Sequence, residues 1–329
     1  MIKYFKKLIN SIRGNATNYK QLQFIREELW NEYKSPKVNL GQLQSNFNNL
    51  KPTIKSLKEV EFQVFSQFGD DGIIQWLINK IPLPFKTFIE FGVENYREAN
   101  TRFLLINNYW SGLVIDGNKD NIDSVRKEQI SNFYDLQSEC SFITKSNINE
   151  IISSAKFHKD IGILSIDIDG NDYWIWSAIE KISPIIIITE YNCLFGFKDP
   201  YTIKYSDGFV RGKTTPFNFY GTSLRSAYEL ARTRGYSFIG SNSAGNNAYF
   251  IRDDYMKYLE IPKLTPEQGF VFASFSEAWD KDRIPLRGIE KLKSINAQKV
   301  INTLTMNEEI VDAEKIIQSL IQSGKIVRF

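Results

Sequence analysis

The sequence predicts an α/β fold: a Rossmann-like, mostly parallel sheet with crossover helices, finished by an antiparallel hairpin. Three observations carry this reading. Five short runs rich in Ile, Leu and Val alternate with helical segments between residues 87 and 190, the pattern of strands buried on both faces and joined by helices. Two later apolar runs, 236–239 and 248–251, flank about eight Gly/Asn/Ser-rich residues, which reads as a hairpin. Three of the five parallel runs end in an acid beside a glycine-containing turn, and the carboxyl ends of strands are where open α/β sheets bind ligands.

Each element follows in order. Residues 1–60 read as a helical preface, with Leu22, Ile25, Leu29, Trp30 and Tyr33 forming an apolar stripe at helical spacing. The main domain is expected over 61–256. It opens on an amphipathic helix through Ile73, Ile74, Trp76 and Leu77, closed by Pro82 and Pro84. The strands are expected at 87–91, 112–116, 140–144, 161–167 and 185–190, with helices at 97–106, 121–130, 148–153 and 173–179. A helix at 224–233 then leads into the hairpin. Residues 257–329 are expected to form a mostly helical C-terminal extension.

Bulk properties exclude several functions. With 41 Lys+Arg against 38 Asp+Glu, a net charge of +3, the charge balance gives no basis for a nucleic-acid groove. Cys140 and Cys193 have no paired spacing and the chain has one histidine, so neither a disulfide framework nor a zinc site is indicated; a reducing cytoplasm is expected. No stretch reaches transmembrane length. Ile2, Phe5, Leu8 and Ile12 share one helical face bordered by Lys3, Lys6, Lys7 and Arg13, which suits either packing on the protein or weak peripheral contact with the inner face of a membrane.

The chemistry-bearing residues sit at the strand ends. Glu90 and Gly92 close the first strand where a ligand approaches the backbone, and the glycine permits close contact. Asp116-Gly117 closes the second, some two dozen residues after Gly92, a spacing that suits a carboxylate holding a ribose diol; a capping Asp in a strand-to-helix turn is the plainer alternative. Such an acid would repel a 2′-phosphate, leaving S-adenosylmethionine or NAD as cofactor. Thr144, ending the third run, joins Glu90, Gly92, Asp116 and Gly117 in the expected cofactor-facing set.

Asp167 and Asp169 follow the fourth strand and would project to one face. Their segment differs from a calcium-binding EF-hand loop, which needs Gly at its sixth position and Glu at its twelfth, where Asp172 and Ala178 stand here. The pair, with Glu190 and Asn192 from the fifth strand's end, is expected to face an acceptor, acting either directly as acid and base or through a divalent ion, Mg2+ or Mn2+. His158 reads as a solvated loop residue. Arg211 and Lys213 lie in a long polar segment and would suit a phosphate or carboxylate on the acceptor, or simple surface exposure.

Taken together, residues 65–74, Phe88 to Gly92, Ile115-Asp116-Gly117, Ser165 to Asp172, Glu190-Tyr191-Asn192 and Tyr220 to Leu224 resemble the FkbM-type class I S-adenosylmethionine-dependent methyltransferases. The resemblance spans roughly residues 65–252 by order and spacing. It implies an S-adenosylmethionine-dependent O-methyltransferase, in bacteria often acting on sugars of surface polysaccharides, with a small-molecule or glycan acceptor. The chain departs from the usual glycine-rich first loop at Glu94-Asn95-Tyr96. Two other readings share the strand-end logic: an NAD-dependent sugar-modifying enzyme, against which the missing G-x-G-x-x-G and the hairpin stand, and a non-catalytic scaffold retaining the fold.

Overall fold

The computed structural model describes residues 36–214, 216–275, 279 and 283–326; both N-terminal apolar stripes expected from the sequence lie outside them. Residues 36–49 are helical (α1). Seven strands form the main sheet in the order β3-β2-β1-β4-β5-β8-β7: β1 Thr87–Phe91, β2 Ser111–Asp116, β3 Leu136–Cys140, β4 Ile163–Ile166, β5 Ile186–Glu190, β7 Tyr236–Ser241 and β8 Asn247–Arg252. The first five run parallel. The hairpin β7–β8 inserts β8 antiparallel beside β5. This is the Rossmann-like, mostly parallel sheet expected from the sequence, terminal antiparallel hairpin included.

The alternation of apolar side chains divides the core in two. Ile89, Phe91, Leu164, Ile166 and Ile187 face one layer, while Phe88, Ile163, Ile186 and Ile188 face the other, so the central strands are covered on both sides by helices. Phe270, Leu292, Val300, Val311, Ile316 and Leu320 belong to the first of these layers. The C-terminal extension therefore shares the core of the main sheet.

Three expectations shift. β3 lies four residues earlier than its apolar signal, because it is an edge strand of half-buried Gln137, Ser138 and Glu139; Phe142 and Ile143 instead line the loop beyond it. The helix expected from 97 begins at Arg102, since Glu90 captures the backbone N–H groups of Asn100 and Thr101 at 2.8 and 3.0 Å and holds the preceding segment as a loop. The C-terminal extension contains two strands as well as helices: β9 Lys299–Asn302 and β10 Glu308–Ile310 join β6 Tyr201–Thr202 in a small antiparallel sheet.

The motif before the first core helix, α2 Asp70–Lys80, turns out to be scaffolding. Asp71 Oδ2 accepts the N–H groups of Val64, Phe65 and Ser66 and the Ser66 hydroxyl, all at 2.7–2.8 Å. Asp70 accepts from Tyr249 Oη, Asn247 and Asn242 of the hairpin. Two adjacent buried acids thus tie α2 to a local loop and to the β7–β8 hairpin. Between them and the core, Gly72 leaves no room for a side chain: a Cβ there would lie 2.1 Å from the Val60 carbonyl oxygen and 2.3 Å from the Phe62 nitrogen. Gly72→Ala should therefore cost roughly 1–3 kcal/mol of stability, read as a lower denaturant midpoint at unchanged slope.

Candidate active site

The carboxyl ends of β1, β2, β4 and β5 open into one cleft with two lobes. The first, of about 270 Å³, has Asp116, Phe142, Ile143 and Phe209 in its walls. The second, of about 200 Å³, is lined chiefly by carboxylates and amides, among them Gln67, Glu90, Glu98, Asn100, Glu190 and Asn246. Gly92, Glu94, Asp167, Asp169 and Arg211 border both. Phe209 and Arg211 come from the segment between β6 and the next helix, α3 Leu224–Thr233, which covers the opening: Phe209 lies so close to Gly170 that a Cβ there would sit 2.3 Å from its ring, and Asn171 Nδ2 donates to the Ser206 carbonyl at 2.8 Å.

Gly92 occupies the junction the sequence assigns it. Its φ of 71° is left-handed, and a Cβ would fall 1.6 Å from the Asp167 carbonyl oxygen, so only glycine lets the β1 and β4 loops meet. Asp116 lies at the floor of the first lobe. Its Oδ2 accepts the Glu94 N–H at 2.8 Å and its Oδ1 accepts from the Asn118 N–H and Asn121 Nδ2 at 2.8 and 3.1 Å. The same bond stabilises Glu94 at φ 47°, so Asp116 both borders the lobe and replaces, by a hydrogen bond, the glycine expected in that loop. Gly117 lies against Phe142 in the same lobe.

Two of the expected cofactor residues have other work. Glu90 borders the second lobe but is buried, and its oxygens accept from Asn100 N–H, Thr101 N–H and the Thr101 hydroxyl. It organises the loop rather than offering a free carboxylate. Burial, only partly offset by these donors, pushes its pKa up to about 7. Thr144 is absent from both lobes; its hydroxyl pairs with Ser146 and accepts the Asn147 N–H, because β3 ends four residues earlier and leaves Thr144 in the turn that starts the helix Ile148–Ser154.

The acidic edge assembles with one change. Asp167, Asp169 and Glu190 each present a carboxylate oxygen, and these oxygens lie within 4.8 Å of one another. Asn192 stays out of both lobes: its Oδ1 caps the Leu194 N–H at 3.0 Å and its Nδ2 donates to the carbonyls of Asn218 and Tyr220 at 2.9 Å each, which turns the amide to the following turn rather than to the three acids. Glu190 Oε1 accepts from the Tyr220 hydroxyl at 3.1 Å. Burial first, and then the charges of the neighbouring acids, hold the Asp167 and Glu190 carboxyls well above the ordinary range. Asp172, also buried, accepts the N–H groups of Ile168 and Gly170 and shapes the turn that carries Asp169, whose φ is 54°.

Arg211 exceeds its sequence signal. It is 9% exposed, bonds Asp169 Oδ1 at 2.5 Å, and lies over the rings of Tyr220 and Phe217 with its guanidinium carbon 3.7 and 4.5 Å from their centroids. Lys213, its partner in the sequence reading, is exposed. Gln67, Glu98, Asn100, Asn246 and Phe209 carry no site signal in the sequence; Gln67 precedes the first strand by some twenty residues and Asn246 lies in the hairpin turn just before β8, and only the motif around 65–74 marks the former. His158 is a half-exposed loop residue stacked on Phe85 at 3.9 Å, outside the residues lining the cleft.

No family model matches the sequence, and no curated protein does. Among solved structures, the chain is similar to the N-terminal domain of EvdMO1 with S-adenosylhomocysteine bound, at 9% identity, 64% of this chain and 94% of that one, with a TM-score of 0.37. It is also similar to an O-methyltransferase from Bacillus cereus in complex with S-adenosylhomocysteine, at 14% identity, 66% and 89% coverage and a TM-score of 0.38. A third is an S-adenosylmethionine-dependent methyltransferase from Clostridium acetobutylicum ATCC 824, at 10% identity, 55% and 89% coverage and a TM-score of 0.35. Among the described residues, no helix is long and apolar enough to cross a membrane.

The buried Glu90 makes stability depend on pH. A carboxyl whose folded value, about 7, exceeds its ordinary value of 4.5 keeps its proton longer in the folded chain, so its contribution is fully present below about pH 4.5 and is lost as pH rises through about 7. Glu90→Gln should flatten the fall in stability over that window, measured by denaturant titration at a series of pH values.

Proposed function

We propose that the chain is an S-adenosylmethionine-dependent O-methyltransferase acting on a hydroxyl of a sugar or surface-glycan precursor. The observation that carries this is the pairing of two unlike lobes across Gly92, Asp167 and Arg211: one aromatic-walled with an acid at its floor, the other polar and acidic.

The first lobe fits an adenosine. Phe142, Ile143 and Phe209 offer apolar faces for a purine. Asp116 has about four acceptor sites on its two oxygens, of which three are taken by protein donors, leaving one for a ribose hydroxyl. Gly92 borders both lobes at their junction, where a chain passing from the nucleoside side to the polar side would cross. When bound, the cofactor supplies a methyl group made electrophilic by its positive sulfonium sulfur. Glu94, Asp167 and Asp169 border the junction where that cation would lie. A dinucleotide suits the same loop poorly, because Glu94 and Glu98 stand where a pyrophosphate would need N–H donors.

The second lobe fits a polyhydroxylated acceptor. Carboxylates and amides accept and donate hydrogen bonds to hydroxyls, and few apolar surfaces are present to hold an aromatic ring. Asp167 and Glu190, raised above the ordinary carboxylate range by burial and by the charges of neighbouring acids, border this lobe where an acceptor hydroxyl would lie and are the groups to receive its proton. Tyr220 orients Glu190 through its hydroxyl, and Arg211 fixes Asp169.

Calorimetric titration tests the cofactor: S-adenosylhomocysteine should bind and NAD should not, and the reverse result would sink the reading. Asp116→Ala should weaken S-adenosylhomocysteine binding by about 1–3 kcal/mol, the cost of leaving a hydroxyl partner unpaired, with the melting temperature as a control for folding. Asp167→Asn and Glu190→Gln should keep that binding and lose methyl transfer to a verified acceptor, followed with radiolabelled methyl groups. Full turnover in both variants would remove the acidic edge from the reaction.

A further inference from the structure

We infer that the outer face of α1 is the docking site of a segment of this same chain, residues 22–33, which folds back along it from a corner at Ser35-Pro36. The inference does not depend on the methyl-transfer reading.

α1 is amphipathic in the opposite sense to a helix that simply lies on a protein. Leu40, Leu43 and Phe47, with Leu50 just past its end, follow one another at intervals of three and four residues and are 58, 56, 68 and 78% exposed. The buried side is small and polar: Gly41, Ser45 and Asn48. That orientation is fixed by contact. A Cβ at Gly41 would fall 2.5 Å from the Val64 side chain and 2.9 Å from the Phe103 ring, so the helix backbone itself seats on them. Lys37 Nζ donates to the Val64 carbonyl at 3.0 Å and Asn48 Nδ2 to the Val60 carbonyl at 2.8 Å. The four apolar side chains cannot turn inward without breaking these contacts, and a continuous row of exposed apolar side chains marks an interaction surface.

The sequence ahead of α1 carries the matching stripe. Leu22, Ile25 and Leu29 stand 14, 11 and 7 residues before position 36, and Leu50, Phe47 and Leu43 stand 14, 11 and 7 residues after it. Tyr33 and Leu40 continue the match to within one residue. In two antiparallel helices joined by a tight turn, positions equidistant from the turn face each other, so the two stripes would meet along their whole length. Ser35-Pro36 supplies the turn. Proline suits the first turn of a helix, serine suits the cap before it, and the residue preceding a proline is pushed out of the helical region. A single helix running through position 36 would lose a hydrogen bond and clash there.

Other occupants fit less well. Four side chains fall far short of the about 20–30 residues a side in a stable interface between two chains, whereas a segment tethered through one turn acts at an effective concentration on the order of millimolar. Lys37 is the one charged residue between 36 and 50, and its ammonium is turned to Val64, so the face offers little to an anionic lipid surface. The docked segment would also brace the site from behind: α1 is bonded to the stretch from Val60 to Val64, whose continuation brings Gln67 to the polar lobe.

Disulfide formation in the full chain under mild oxidation tests the register. Ile25→Cys with Phe47→Cys should close an intrachain bond, seen as faster migration on a non-reducing denaturing gel, with wild type as the control for Cys140 and Cys193. Ile25→Cys with Leu40→Cys, displaced along the helix by about 10 Å, should close at most about a tenth as fast, because a disulfide spans under about 7 Å between Cα atoms. Trypsin cleavage after Arg26 gives a second measurement without cysteines: Leu43→Gln combined with Phe47→Gln should speed it at least about tenfold by releasing the segment, with melting curves to confirm folding. Equal closure of the two cysteine pairs, closure of neither, or an unchanged cleavage rate overturns the docking. Interchain bonds in the Ile25/Phe47 pair together with a dimer mass by light scattering also overturn it, in favour of a second copy on the same face.

Discussion

The contact on which the cleft depends is between two backbones. Gly92, leaving β1, passes so near the carbonyl of Asp167, leaving β4, that no side chain can stand between them. Adjacent parallel strands end at one edge of the sheet, and each loop must turn aside there. Because these two loops meet directly, the cleft is pinched at its centre and opens on both sides, toward β2 and Asp116 on one and toward β5 and Glu190 on the other. The two lobes, and the acids that face both, follow from that approach.

Around this junction the chain treats its buried carboxylates in two ways. Asp70, Asp71, Glu90 and Asp172 are surrounded by donors, mostly backbone N–H groups, and act as rivets: they hold α2 to the hairpin, a loop to β1, and the turn after β4. Such bonds to charged groups recover much of the cost of burial. Asp167 and Glu190 face the cleft with few donors and one another's charge. Acids held at a strand edge with so few donors are unfavourable for folding alone, and in the reading proposed above the bound acceptor supplies the missing partners.

The covering segment gives the site its remaining character. It leaves the small sheet at β6, which pairs with β9 and through it joins β10, both from the C-terminal extension, and it brings Phe209 and Arg211 over the strand ends. The extension also shares the apolar layer beneath β4 and β5. Residues far beyond the hairpin thus help to position the lid of the cleft, which ties the C-terminal part of the chain to the site without placing it there.

By itself the sequence determined the sheet and its acidic rim. Central strands read clearly because each is buried on both faces and so must be apolar along its length, and the acids at Glu90, Asp116, Asp167 and Glu190 mark where those runs stop. β3 lies four residues before its apolar signal because an edge strand is half-buried and its polar residues send no such signal, which leaves Thr144 in the turn beyond it. What only the tertiary structure decided is which polar group keeps a partner. Asp116 is bonded by a residue 22 positions away, Asp169 by one 42 away and Asn192 by carbonyls 26 and 28 away, and hydrophobic periodicity carries no information about such pairings. The composition of a strand is dictated locally by burial; the freedom of a carboxylate is set by whichever donors the rest of the fold brings to it.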